Sequence, residues 1–203
     1  MNAWKRVLRV LAHPSSELYE MKHYRTWPLL PTAVILLLWY LAEILAAFYT
    51  DFKFNYRHVT EINILYLLAS TVGLFVLWTV INWAITTLLD GKGKAREIFV
   101  STSYALIPYV AAMYVCLGLS RVLTMEEAMF MTVIRAAGLL YSLLIFVSAH
   151  CAVHDYSLKK ALLSILLTVA GILFVLFLLV LFFGLMQQFI LFFETIYMEL
   201  QLR

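Results

Sequence analysis

Apolar residues run through the chain in five long stretches, and polar residues collect in the short intervals between them. A spanning helix needs about 20 predominantly apolar residues, because about 30 Å of hydrocarbon is crossed at 1.5 Å per residue. The stretches fall at 29–50, 62–89, 98–119, 129–151 and 161–184. The loops between them, of about ten residues, leave no room for a soluble domain. The pattern predicts an all-α polytopic membrane protein with an amino-terminal segment over 1–27, a five-helix transmembrane domain over 28–184 and a carboxyl-terminal segment over 185–203. The first apolar run starts late, is long and lacks a small-residue cleavage site, so it reads as a retained helix and not a signal peptide, with the chain beginning near Met1.

Both flanks carry helical periodicity. Trp4, Val7, Leu8 and Leu11 recur at helical spacing with Lys5, Arg6 and Arg9 between them, which suits a short helix lying on an anionic membrane surface. A second interfacial helix is expected from Pro14, with Ser15, Ser16 and Glu17 in its first turn, and Pro28 and Pro31 break the chain before the first span. After Gly184, the residues Leu185, Phe189, Phe192, Phe193, Ile196 and Leu200 share one face, with Gln187, Gln188, Glu194 and Glu199 mostly on the other. Such an amphipathic segment either lies on the membrane or continues the last span, and periodicity does not separate the two.

Composition agrees with the pattern. Of 203 residues, 64% are hydrophobic and 13% charged, against about 45–50% and about 25% in soluble domains. The formal charge of +3 is small and scattered, which excludes a nucleic-acid-binding surface. Its distribution matters more. Lys5, Arg6, Arg9, Lys22, Arg25, Lys92, Lys94, Arg96, Lys159 and Lys160 fall on one side of the five spans, and Lys53, Arg57, Arg121 and Arg203 on the other. The positive side is the cytoplasmic one, so the amino terminus is expected inside and the carboxyl terminus outside. Cys116 and Cys151 belong to different spans and read as small packing residues.

Charges inside the spans are the most informative positions, since each is costly in hydrocarbon unless paired or wet. Glu43 and Arg135 lie at matching depths, roughly 10 Å below the same surface, and an ion pair joining the first and fourth spans is expected from them. His150 and His154, four residues apart beside Cys151 and Asp155, are candidate metal ligands. No H-E-x-x-H arrangement or second ligand cluster accompanies them, and hydrogen-bonded interfacial histidines are the expectation, with no cofactor. The loop D-G-K-G-K-A-R-E over 90–97 lacks the G-x-x-x-x-G-K-[ST] pattern of a phosphate loop. Gly91 and Gly93 read as turn formers. Lys92, Lys94 and Arg96, with Lys5, Arg6 and Arg9, are expected to meet lipid phosphates or a cytoplasmic partner. Pro108 should kink the third span beside Tyr104 and Tyr109. Small residues four apart, Ala42 with Ala46, Ala69 with Gly73, and Gly138 with Ser142, permit close helix packing.

The leader AHPSSELYEMK, the segment LLDGKGKAREIFVSTSYALIPYV and the entry VHDYSLKKALL into the last span resemble bacterial Yip-domain membrane proteins over most of the chain. The resemblance implies a five-span, non-enzymatic, partner-binding protein, with Gly91, Lys92, Gly93, Tyr104 and Pro108 matching the family's loop-and-helix motif. Eukaryotic members associate with Rab GTPases and with each other, but their long cytoplasmic amino-terminal region has no counterpart here. The bacterial type resembles small proteins found alongside carbohydrate uptake transporters. The leading expectation is thus a non-catalytic scaffold or accessory subunit in a bacterial plasma membrane, binding lipids and other integral membrane proteins such as transporter permeases. The alternative is a small homo-oligomeric permease or channel with Glu43, Arg135 and Pro108 along its path. A membrane enzyme using His150, His154 and Asp155 is the third.

Overall fold

The computed structural model describes residues 3–51, 53–54 and 62–201, and Arg57 and Arg203 of the charge count lie outside them. Two short helices, α1 (Ala3–Ala12) and α2 (Pro14–His23), precede five spans. The first span is α3 (Leu29–Tyr49). The second joins α4 (Ile64–Leu68) to α5 (Leu74–Leu88) through a π-helical turn, Ala69–Gly73. The third is α6 (Ala95–Ala105) followed by α7 (Ile107–Leu119). A 3-10 turn, Met125–Glu127, leads into the fourth, α8 (Ala128–His154), and α9 (Leu158–Gln201) is the fifth. All five helices are long and apolar enough to cross a membrane, and the described residues contain no strand.

The ends sort into two faces. On the loop face, the Arg96 guanidinium donates to the Trp27 carbonyl at 2.8 and 3.1 Å. On the far face, the Arg121 guanidinium donates to the Tyr49 carbonyl at 3.1 Å. The third span is the most enclosed, with 50% of its most apolar window buried against 6% for α9. It packs on α3, α5 and α8, while α9 leans on α5 and α8 at the edge of the bundle.

The expected kink is present: the third span breaks at Leu106, and Pro108 opens its second half. A proline ring clashes with the preceding turn and disturbs its hydrogen bonds. The freed Tyr109 N–H donates instead to Ser142 Oγ on α8 at 2.9 Å, as polar side chains of neighbouring helices do in membranes. Close approach makes that bond possible. A Cβ on Gly138 would sit 2.5 Å from Ala112 Cβ and 3.0 Å from the Pro108 carbonyl oxygen. Gly138 with Ser142 is therefore a packing surface, as expected. Gly73 is not, since a Cβ there meets only its own helix, and Ala69–Gly73 forms the π-turn instead.

Two segments differ from expectation. The amino-terminal helices do not stand apart from the bundle. They form a hairpin against α8, and the Tyr141 hydroxyl donates to the Leu11 carbonyl, about 20 Å along α8 from His154. The buried face of α1 is Val7 and Val10, with Leu11 half-buried, so Trp4 and Leu8 of the anticipated stripe stay exposed. Leu18 and Met21 of α2 enter the same core as Tyr104, Ala105, Ile145 and Val153. The inner apolar face of the hairpin is thus buried on protein, among residues of α6 and α8. At the other end, α9 continues through Gly184 to Gln201 without a break, so over 185–201 the segment prolongs the last helix.

The α7–α8 seam is testable. Gly138→Ala should lower stability in detergent by about 1–3 kcal/mol, because neither opposing atom can swing aside. Gly118→Ala, whose Cβ meets nothing within 4 Å, should be neutral or slightly stabilising. Thermal unfolding of both variants in the same micelle reads the difference.

Candidate functional site

On the loop face, three helix ends meet. α2, α5 and α8 each end with a left-handed residue, Arg25 (φ 52), Asp90 (φ 57) and Asp155 (φ 59). In each case the next N–H reaches back to a carbonyl of the last turn: Thr26 to Met21 at 3.1 Å, Gly91 to Thr86 at 2.7 Å and Tyr156 to Cys151 at 3.1 Å. This is the Schellman arrangement that satisfies orphaned carbonyls at a helix end. The left-handed position after α5 belongs to Asp90, and neither Gly91 nor Gly93 has positive φ, which corrects their reading as turn formers. They are small because rings lie on them. A Cβ on Gly91 would fall 2.7 Å from Tyr156 Oη and 2.8 Å from both His154 Nδ1 and the Thr86 carbonyl oxygen. One on Gly93 would fall 2.6 Å from His154 Cε1.

The rings form a column. His154 stacks on Tyr156 with centroids 5.3 Å apart, and His150 lies 4.7 Å from His154. The Tyr156 hydroxyl donates to the Leu89 carbonyl at 2.9 Å, and the Lys160 ammonium sits 4.6 Å from the Tyr156 ring centroid. His150 Nε2 is 2.6 Å from Ser164 Oγ, tying α8 to α9. One helical turn further along α9, Asn82 Nδ2 donates to Thr168 Oγ1 at 3.0 Å and ties in α5. Both nitrogens of buried His154 lack a hydrogen-bond partner. The two histidines thus wedge helices, and among the described residues no three metal-type ligands converge. Asp155 turns away to Lys92, so the trio His150, His154 and Asp155 does not form one catalytic group.

Ion pairs close the face. Lys22 Nζ meets Glu97 Oε2 at 2.6 Å and the Lys92 carbonyl at 2.9 Å, which fastens the hairpin to the loop. The same carboxylate accepts the Lys94 N–H at 3.2 Å, capping α6. Lys92 Nζ meets Asp155 Oδ2 at 2.7 Å on the exposed rim. The hydrogen bond from Lys92 holds the Asp155 carboxyl below its ordinary range, and Asp155 raises the Lys92 ammonium above its own. Three of the six cations expected to face lipid or a partner are therefore engaged internally: Lys92 with Asp155, Arg96 with Trp27, and Arg6 with Thr26. Lys5, Arg9 and Lys94 stay exposed. Sequence reasoning missed Lys22, Glu97 and Tyr156, although Glu97 sits three residues after the residue that precedes α6, where a capping carboxylate belongs.

Towards the far face, Glu43 and Arg135 do not pair. The ion pairs formed among the described residues are Lys22–Glu97 and Lys92–Asp155. The third span lies between, since α7 packs on both α3 and α8. Equal depth brings the two charges to one cavity of about 230 Å³, shared with Thr50, Phe54 and Tyr109. A second, apolar cavity of about 450 Å³ adjoins it through Phe54, Tyr109 and Arg135, and runs along α8 past Met131, Ala136 and Leu139. Each charge costs at least about 2.5–3.5 kcal/mol at mid-bilayer on insertion scales, so a polar cavity holding both needs an occupant or water.

Five apolar spans, an inserted amino-terminal hairpin and a rigid loop face define a multi-pass membrane protein of all-helical architecture. The Yip1 domain family model matches residues 8–187, and the chain belongs to the Yip1 family. No curated protein and no solved structure matches it. The five residues expected to form a loop-and-helix motif have separate mechanical roles: Gly91 and Gly93 admit the rings, Lys92 pins Asp155, Tyr104 fills the core under the hairpin and Pro108 opens the second half of the third span.

Two outcomes test the loop face. Gly91→Ala should cost about 1–3 kcal/mol in the same unfolding assay, because the Thr86 backbone cannot yield. The Lys92–Asp155 contribution should show two limbs. Asp155 is depressed in the folded protein, so its share is complete above the ordinary carboxylate range and is lost as pH falls through the lowered value. Lys92 is raised, so its share is lost as pH climbs through a value above ordinary lysine. Hydrogen exchange at the Gly91–Gly93 amides, corrected for intrinsic rates, should quicken at both extremes, and Asp155→Asn should remove both limbs.

Proposed function

We propose that this protein is a non-catalytic membrane adaptor, an accessory subunit that holds another integral membrane protein. The observation that carries this reading is α9. Its 44 residues extend about 66 Å, roughly twice the hydrocarbon thickness. Every residue from Leu176 to Gln201 is exposed. Beyond the bilayer it displays Leu185, Phe189, Phe192, Phe193, Ile196 and Leu200, all uncovered. Apolar surface on that scale marks a contact with membrane or protein, and an unbroken helix standing clear of the bundle is suited to lie along a neighbouring subunit. The partner proposed is the permease of a carbohydrate uptake transporter in a bacterial plasma membrane. The excess of Lys and Arg on the loop face supports a cytoplasmic amino terminus and an external carboxyl terminus.

A permease reading fits less well. Below the Glu43–Arg135 cavity the centre of the bundle is filled by Val100, Tyr104, Ile145 and Ala149, all buried, and Pro108 kinks a helix instead of opening a path. Native mass spectrometry of the tagged chain, extracted from its host membrane in mild detergent, tests the adaptor. The full chain should carry a stoichiometric second membrane protein, and a chain ending at Gly184 should lose it. A bare monomer or homo-oligomer from the full chain, or a partner retained after truncation, would overturn the reading.

A further inference from the structure

The joined cavities near the far face have the make-up of a lipid site. One part is polar and holds an acid and a base that do not meet each other. The other is apolar, adjoins the first by sharing Phe54, Tyr109 and Arg135 with it, and follows α8 along the direction an acyl chain takes in a bilayer. Glu43 is half-buried and Arg135 is exposed at the cavity mouth, and neither has a hydrogen-bond or ion-pair partner among the described residues. The Tyr109 ring and Phe54 line both compartments and form the step between them.

Charge selects the occupant. A free anion would satisfy Arg135 and be repelled by Glu43, and a free cation would meet the converse. A molecule carrying both signs a few ångströms apart, with an apolar tail, satisfies every wall. We propose that this site binds one phospholipid with a primary-amine zwitterionic headgroup from the far leaflet, its phosphate on Arg135, its ammonium on Glu43, and one acyl chain along Met131, Ala136 and Leu139. Arg suits the phosphate because its planar fork makes two hydrogen bonds to it. A primary ammonium suits Glu43 because it donates hydrogen bonds, which a trimethylated one cannot.

The test uses the full chain, delipidated in detergent and offered one lipid at a time, with native mass spectrometry counting bound molecules. Phosphatidylethanolamine should bind as one retained equivalent about tenfold more tightly than phosphatidylglycerol or phosphatidylcholine of the same chains. Phosphoethanolamine without chains should bind at least tenfold more weakly than the lipid, which separates a lipid site from a small-solute site. Arg135→Gln should weaken binding about tenfold, and Glu43→Gln should erase the preference for phosphatidylethanolamine over phosphatidylglycerol. Equal retention of the three lipids by the unaltered protein would overturn the proposal without reliance on any variant. So would binding of the chainless headgroup as tightly as the lipid.

Discussion

Water is absent from the interior of a bilayer, so every backbone group released by an irregularity must find its partner within the protein. That constraint explains where this bundle is held together. The break at Leu106 releases an amide, and Ser142 receives it at 2.9 Å. For a serine hydroxyl to reach that amide, α7 and α8 must nearly touch, and only glycine at position 138 allows it. Threonines obey the same rule locally. Thr71, Thr79, Thr86 and Thr168 each return a hydroxyl to the carbonyl four residues back, at 2.6, 3.0, 2.7 and 2.7 Å, and so hide their donors within their own helices. Thr168 still accepts from Asn82, so one hydroxyl both closes its own bond and joins two spans.

The loop face works by a different balance, because its groups lie at the edge of water. Rings stacked on glycines supply shape, and ion pairs supply register. The exposed Lys92–Asp155 pair is a weak contributor on its own, as solvent-exposed pairs generally are. Lys22 with Glu97 is better sheltered, and its carboxylate serves at once as ion-pair partner and helix cap. The amino-terminal hairpin is thereby fixed at both ends, by Lys22 at the loop face and by Tyr141 on the Leu11 carbonyl deep along α8. A segment held so is part of the domain. The match of the Yip1 domain from residue 8 onward, inside α1, agrees with that boundary.

Span number and order were legible in the sequence because hydropathy over 20 residues is a bulk property. The helices exceed the apolar runs by one turn or less at the loop face, where α6 begins at Ala95 and α8 ends at His154, since helical hydrogen bonding continues into the polar boundary, and by far more at the other end of α9, which runs on to Gln201. What hydropathy could not give was azimuth. Glu43 and Arg135 matched in depth, yet depth says nothing about which helices are neighbours, and α7 occupies the place between them. The glycines of the D-G-K-G loop show a related limit. Composition identified a turn, but whether a glycine serves rotation or proximity depends on residues 60 positions away, and here proximity wins. Helical periodicity in α1 marked it as amphipathic but could not say that Val7 and Val10 are buried on protein while Trp4 and Leu8 stay exposed, because an apolar stripe looks the same whether it faces lipid or protein.

These forces divide the molecule into a tightly tied half and an open half. Towards the loop face, helix caps and ion pairs tie the hairpin, the D-G-K-G loop and α8 together, while Glu17 Oε1, Trp27 Nε1 and both His154 nitrogens stay buried without hydrogen-bond partners and Lys5, Arg9, Arg25, Lys94 and Lys159 stay exposed. Towards the far face, two ionisable groups meet in a cavity without meeting each other, and α9 leaves the bundle with no buried residue after Thr168. A helix of that length gains nothing for the monomer's stability from its outer half, since it buries no area there. Its apolar character is instead a cost in water that some neighbour must offset. On the readings proposed above, recognition falls to the half that the protein's own packing leaves incomplete, with the tied loop face as the fixed base from which α9 and the cavity are presented.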